Sequence, residues 1–487
     1  MFNILYKDMK FQIYNTMTHK KEEFIPRIDE GKSDFVWIYS CWPTVYRDPH
    51  IWNMRAYIFT DTLRCTLEYI LWYPLRSVMN LTDVWHLTSD DDHGQDKMEK
   101  WAQRENMTVR ELADKYIDSF KRYLKMLNIE EYNILCRATD HIKEQIDMTK
   151  TLEDKWYTYI IPWDWVYMDT SKVEDYGALS NLTLDWMQQW ARIENDAKKN
   201  KTDFALWKFA PEWEKRQMER DSPWWLGFPW WHLECSAMSS KYLWEQFDIH
   251  TWWVDHISIH HPNEIAQSEC CFGKKPWVKY RMHNQFLNLW WKKSSKSAGG
   301  LITIDTLIEK WYDPIDFRYL CINWHYRSFL DYNENMMTQA KHARANLIKK
   351  LSKSEHTELK ASNYKKLETQ LETQEAKDFL NEALSDILDD LNTPKLLATI
   401  NKALQNPNSE IISVIHRLDQ SLLRLDLFKS DAVETIEAPE EIKKLAEDRL
   451  YAKQNKDRAN ADKIRDDMKS RWRNVLDTKD WFELNKL

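Results

Sequence analysis

The stretch FVWIYSCWPTVYRDPHIWNMRAYIFTDTLRCTLEYILWYPLRSVMNLTD, residues 35–83, decides the fold. FVWIYS is a short apolar run of strand character, and WPTVYRDPHIWN is a loop broken by Pro43 and Pro49. NMRAYIFTDTLRCTLEYIL carries helical periodicity, and SVMNL is a second buried-strand segment. Strand, loop, helix and strand in that order predict a βαβ unit and a parallel sheet. Cys41 closes the first strand, and open α/β sheets place ligands at the carboxyl ends of strands. His50 stands just before a helix expected to begin near Asn53, where a helix N-terminus and an imidazole favour phosphate. Taken alone, the same residues also read as an ordinary polar loop.

Working outward, residues from about 96 to 150 are helical and charged, and 151–230 is an irregular stretch read as an insertion into the sheet domain. Strand character returns at FDIH (247–250) and VDHISIH (254–260). Beyond Tyr332 the composition shifts to Leu, Ala, Lys and Glu at helical spacing over 334–430, which predicts a helix bundle. The expected domains are 1–330, 331–435 and a small, charged, helical terminal module over 436–487.

The 487 residues are 43% hydrophobic and carry a formal charge of −8, so any nucleic-acid surface must be a local patch. Seven scattered cysteines argue for a reducing compartment, and the chain has no signal-peptide core or membrane-length apolar run. We therefore expect a cytoplasmic protein with no membrane partner. The abnormal feature is 27 Trp against 7 Gly. Together these counts approach the ~7% share that glycine alone normally holds. Either tryptophan stands in for glycine, or the protein is an aromatic-rich binder.

Three elements carry chemistry. His260 and Glu264 share a helix face at a spacing of four; with Cys41 and Cys235 they offer S, S, N and O donors that suit zinc. A lone His-x-x-x-Glu is more often a surface pair, and lone cysteines more often pack cores. KKSSKSAGGLITI (292–304) is a cationic loop able to grip polyphosphate, or else a solvated linker.

The order of these motifs resembles that of a class I aminoacyl-tRNA synthetase, specifically the cysteine enzyme. HIWN (50–53) resembles the HIGH signature and KSSKS (293–297) the KMSKS signature. NLTD, RATDHI, DFALWK, WHLECSAMSSKYL, FDIH, HHPNEIAQSE and MHNQF lie between them in the family's order, with HYRS and LNTP following. The likeness runs from Met9 nearly to the end, which leaves the start at Met1, or at Met9 with residues 1–8 an upstream mis-start. It implies an α/β fold: a Rossmann-like catalytic domain with a parallel sheet, then an α-helical bundle that binds the anticodon.

The resemblance further implies a Zn²⁺ ion on Cys41, Cys235, His260 and Glu264, binding the substrate thiol. Cysteine and serine differ by one atom, and a hydrophobic pocket separates near-isosteres only ~10²-fold; a thiolate-preferring metal separates them further. Thr82 and Trp231 match positions lining the cysteine pocket, and Asp255 a position near the ribose of ATP. His50 and Asn53 match the HIGH histidines that stabilise charge at the α-phosphate, while Lys293 and Lys296 match the KMSKS lysines, with Mg²⁺ accompanying ATP. Asn53 in place of histidine and Ser294 in place of methionine depart from the pattern. The partners implied are L-cysteine, ATP and tRNA(Cys), with a monomeric protein. A cysteine:amino-sugar ligase of the same fold, or an inactive synthetase paralogue acting as a binding protein, are the alternatives; the long helical stretch after HYRS favours tRNA.

Against the family, Trp42, Trp52, Trp252, Trp253, Trp290, Trp291 and Trp324 stand where glycine belongs. Trp207, Trp224, Trp231 and Trp277 match family tryptophans. An indole at the HIGH glycine obstructs the nucleotide. We expect these residues to reflect UGA codons that mean glycine in the source lineage and were read as tryptophan.

Overall fold

The computed structural model describes residues 9–41, 45–83, 97–180, 197–210, 218–289, 302–352 and 369–429, with short stretches between 444 and 485. Its centre is a five-stranded parallel sheet. In chain order the strands are β1 (Val36–Ser40), β2 (Leu75–Leu81), β3 (Ile134–Arg137), β4 (Phe247–Trp253) and β5 (Val278–Asn284). From one edge they lie β3-β2-β1-β4-β5. Strand order therefore reverses between β1 and β4, which opens a crevice at their carboxyl ends. β1 is buried along its whole length, as a strand covered on both faces must be.

Helix α1 (Ile51–Cys65) follows β1 with His50 as N-cap, two residues earlier than the sequence reading placed it. The backbone N–H of His50 donates to Asn53 Oδ1 at 3.1 Å, so the Asn53 side chain satisfies its own helix end. α2 (Val109–Met126) precedes β3, and α3 (Trp231–Leu243) precedes β4. VDHISIH is not a strand: β4 ends at Trp253, a short turn spans Val254–Ile257, and α4 (His260–Phe272) begins directly. Pro262 in the first turn and the left-handed cap Gly273 suit a helix there.

Residues 151–230 contain a four-stranded antiparallel sheet: Thr158–Ile160, Trp165–Met168, Phe204–Phe209 and Gly227–Pro229. Beyond it come α5 (Pro314–Ile322), α6 (Glu334–Leu351), α7 (Gln374–Leu388), α8 (Thr393–Ala403) and α9 (Ser409–Leu418). Arg318 of α5 joins these helices to the sheet region. Its guanidinium pairs with Asp61 of α1 at 2.7 Å, both side chains fully buried, and donates to the Leu127 and Leu423 carbonyls. In the terminal module the described residues between 444 and 467 are mostly helical, as expected, and a hairpin then pairs Asn474–Asp477 with Phe482–Asn485. Val475, Leu476 and Phe482 give those segments strand rather than helix preference.

Among the described residues, five of those with left-handed backbone are tryptophans: Trp72, Trp156, Trp163, Trp244 and Trp311, with φ between 64° and 66°. Two of them end helices in the Schellman pattern. After the helix Ile142–Asp154, Trp156 N–H donates to Glu153 O at 2.8 Å and Tyr157 N–H to Leu152 O at 2.9 Å. After the helix Ile304–Glu309, Trp311 N–H donates to Ile308 O at 2.9 Å and Tyr312 N–H to Leu307 O at 3.0 Å. The central position of this motif is normally glycine, because a Cβ strains a left-handed residue. Trp244, which ends α3, has φ 64° and ψ −172°, a region essentially confined to glycine.

Candidate metal centre and nucleotide crevice

Cys41 leaves the end of β1, Cys235 sits on the second turn of α3, and His260 and Glu264 occupy one face of α4. All four are buried, and one ligand atom from each falls within 4.8 Å of the others. Two sulfurs on one tetrahedral zinc at ~2.3 Å would lie about 3.8 Å apart, and a sulfur and a nitrogen about 3.6 Å apart. Cys41 Sγ lies 3.7 Å from Cys235 Sγ and 3.7 Å from His260 Nε2. His260 Nε2 and Glu264 Oε1 are closer, at 2.8 Å, and bond to each other. The donor set thus fits zinc in kind and in spacing.

Electrostatics favour the ligating forms of Cys235 and Glu264 and oppose those of Cys41 and His260. Burial pushes the Cys235 thiol up, but Cys41 and His260 outweigh it and bring it down to about 7. Burial disfavours charge on His260, yet Glu264 and Cys235 raise it to about 9. Burial likewise opposes ionised Glu264, whereas His250 and His260 hold it well below the usual carboxylate range. Cys41 remains raised, by burial and then by Cys235. Among described residues a second set, Cys41, His250, His261 and Glu264, is equally compact. There His250 Nε2 is bonded to Glu264 Oε2 at 2.8 Å and His261 Nδ1 to His283 Nε2 at 2.8 Å. Its single thiol makes it the poorer zinc set.

Supporting residues went unread in the sequence. His232 Nδ1 meets His260 Nδ1 at 2.7 Å, which leaves Nε2 of His260 for the cluster. His232 Nε2 contacts Asn263 Nδ2 at 3.0 Å, and Asn263 Oδ1 accepts from Tyr176 OH at 2.6 Å. Isolated histidines read as core residues, and only their convergence gives them meaning. The Trp231 indole stacks on His260 with ring centroids 3.9 Å apart. Thr82 follows β2, buried, its hydroxyl oxygen accepting from Asn80 Nδ2 at 3.0 Å.

His50 is buried with Nδ1 unpartnered. Burial, then Arg47, lower its pKa to about 3, so the ring is neutral. Asp255 is exposed on the turn after β4. Lys293 and Lys296 lie outside the described residues, as do Trp42, Trp290 and Trp291. The crevice is lined with indoles. Trp52 lies against His50 with centroids 3.8 Å apart, and Trp252 stacks on Trp253 at 5.3 Å. Trp52, Trp253 and residues 285–288 border a cavity of about 340 Å³. Trp207 and Trp277 differ from these: both are fully buried, with Trp277 edge-on to Phe247 at 5.2 Å.

Solved structures share the architecture. Methionyl-tRNA synthetase of Mycobacterium tuberculosis, bound by methionyl-adenylate, aligns with TM-score 0.51 and 14% identity over 81% of this chain and 88% of that one. The LeuRS–tRNA–LeuAMS complex of Agrobacterium radiobacter K84 aligns with TM-score 0.55 and 8% identity over 83% and 86%. The fold is that of a class I tRNA synthetase, and residues 27–342 match the family described as tRNA synthetases class I (C) catalytic domain. The cysteine–tRNA ligase of Treponema denticola is 40% identical over 95% of this chain and 96% of its own. Cysteine–tRNA ligase 1 of Burkholderia lata is 39% identical over 96% of each. The chain belongs to the cysteine–tRNA ligase family. No helix among the described residues is long and apolar enough to cross a membrane.

Proposed function

We propose that the protein activates L-cysteine with ATP and joins it to tRNA(Cys). The observation that carries this reading is the buried Cys41–Cys235–His260–Glu264 cluster at the strand-order reversal, with a sulfur spacing of 3.7 Å. These four residues would hold Zn²⁺. A zinc ion there supplies a soft Lewis acid that takes the substrate thiol as thiolate and discriminates against a hydroxyl. Trp231 and Thr82 wall the amino-acid pocket. His50, Asn53 and Asp255, with Lys293 and Lys296, are assigned to ATP and its Mg²⁺. Neutral His50 offers an N–H to the phosphate rather than a full charge. The helical region 331–435 and the module 436–487 are assigned to tRNA, the 151–230 segment is read as an insertion, and the protein as a cytoplasmic monomer.

We also infer that most tryptophans are glycines of the native protein, encoded by UGA. Left-handed Trp156 and Trp311 in Schellman turns support this, as do Trp52 against His50 and Trp252 stacked on Trp253 where the nucleotide must enter. The test is cysteine-dependent ATP–pyrophosphate exchange by protein made with glycine at the suspect positions. Absence of exchange in folded, zinc-loaded protein defeats the functional reading. UGG codons at Trp52, Trp252 and Trp253 defeat the decoding reading.

A further inference from the structure

Three carboxyl groups, those of Asp83, Glu234 and Glu264, lie close to Thr82, Cys235 and His260, and two are committed. Asp83 accepts from the Thr139 backbone N–H at 3.0 Å and hydroxyl at 2.8 Å, with Arg137 beside it. Glu264 is divided between His250 and His260. The third, Glu234, is fully buried; neither of its oxygens meets full hydrogen-bond geometry, and the Thr82 hydroxyl is the side chain placed to donate to it. Among the described residues no other carboxylate is buried with both oxygens unsatisfied. Thr82, Cys235 and His260 are among the groups that act on it.

A buried carboxylate without a partner is costly, so folded proteins pair or neutralise such groups. We propose that Glu234 is the counter-charge for the substrate ammonium, assisted by the Thr82 hydroxyl. This rests on the reading of the pocket as the cysteine site. L-cysteine held by its thiol at the Cys41–Cys235 centre carries its amine two carbons away. Glu234 is the residue next to Cys235 in the first turns of α3, so one helix end serves both poles of the substrate. The arriving ammonium removes the cost of the unpaired carboxylate. A thiol lacking the amine gains nothing from it. Glu234 thereby makes the pocket selective for an α-amino thiol over other small thiols.

The experiment is calorimetric titration of the zinc-loaded, full-length chain carrying glycine at the suspect positions. The ligands are L-cysteine and 3-mercaptopropionate, which keeps the thiol and carboxylate but lacks the amine. Glu234→Gln is expected to weaken L-cysteine by roughly 10- to 100-fold, the worth of a charge-assisted hydrogen bond. It should leave 3-mercaptopropionate nearly unchanged. Equal weakening of both ligands, or of neither, overturns the assignment. Glu234→Asp, which keeps the charge on a shorter arm, should lose less L-cysteine affinity than Glu234→Gln; equal losses likewise count against it. Failure of the parent protein to bind either thiol defeats the cysteine-site reading instead, and the two failures are thereby told apart.

Discussion

Replacing Trp156, Trp244 and Trp311 together by glycine should stabilise the protein, although three large aromatic side chains are deleted. Trp156 and Trp311 hold left-handed φ values of 66° and 65°, which cost a residue with a Cβ roughly 1–2 kcal/mol each. Trp244, at φ 64° and ψ −172°, sits in a region whose cost to other residues is about 1–3 kcal/mol. Little burial is lost, because the three are 79%, 69% and 58% exposed in chain order. Glycine returns about 0.4–1 kcal/mol per site as added freedom of the unfolded chain. The net is about 1 kcal/mol at each of the first two and about 1–2 at Trp244, so about 3 kcal/mol for the triple variant if the distant sites add. For a chain of this length unfolding as a unit, that raises Tm by about 3 °C. Urea and thermal unfolding followed by circular dichroism measure it. The controls run the other way: Trp207→Gly and Trp277→Gly remove fully buried indoles and should each cost ~3–5 kcal/mol. A triple variant no more stable than the parent, or a tolerated Trp207→Gly, refutes the assignment of tryptophans by backbone and burial.

Three other outcomes are expected. Cys235→Ala should lower bound zinc, measured by elemental analysis, from near one ion per chain to a small fraction. Arg318→Ala should cost about 3–5 kcal/mol by leaving Asp61 buried and unpaired, whereas Asp61→Leu with Arg318→Met should lose less, as read from a double-mutant cycle in urea. His50 has a folded pKa of about 3, below its unfolded value near 6.5. Its contribution to stability is therefore present above pH 6.5 and lost as pH falls towards 3. His50→Gln should flatten the stability profile across that window.

The parallel sheet was legible because FVWIYS and SVMNL flank a long amphipathic segment in the βαβ order. The four metal-ligand candidates were legible only through the ordered motifs: Cys41 is 194 residues from Cys235 and 223 from Glu264, and spacing over such distances says nothing about proximity. VDHISIH misled because its alternating apolar residues mimic a strand, while Pro262 and the cap at Gly273 make the following segment helical. The roles of His232, His250 and Glu234 were hidden for a different reason. Each stands alone in sequence, and its partners come from other elements. The left-handed tryptophans were invisible too, since φ is not written in composition.

The position of Cys41 has a consequence for inheritance. It directly follows β1 and precedes Trp42, which the sequence resemblance sets at a family glycine. If that codon is UGA, a host that reads UGA as stop would release a peptide ending no later than Cys41, and at Val36 if Trp37 is UGA as well. Such a fragment would hold at most one donor of four and a single strand of the central sheet. The gene would then be silent outside organisms sharing its code, a barrier to transfer set within the first tenth of the message.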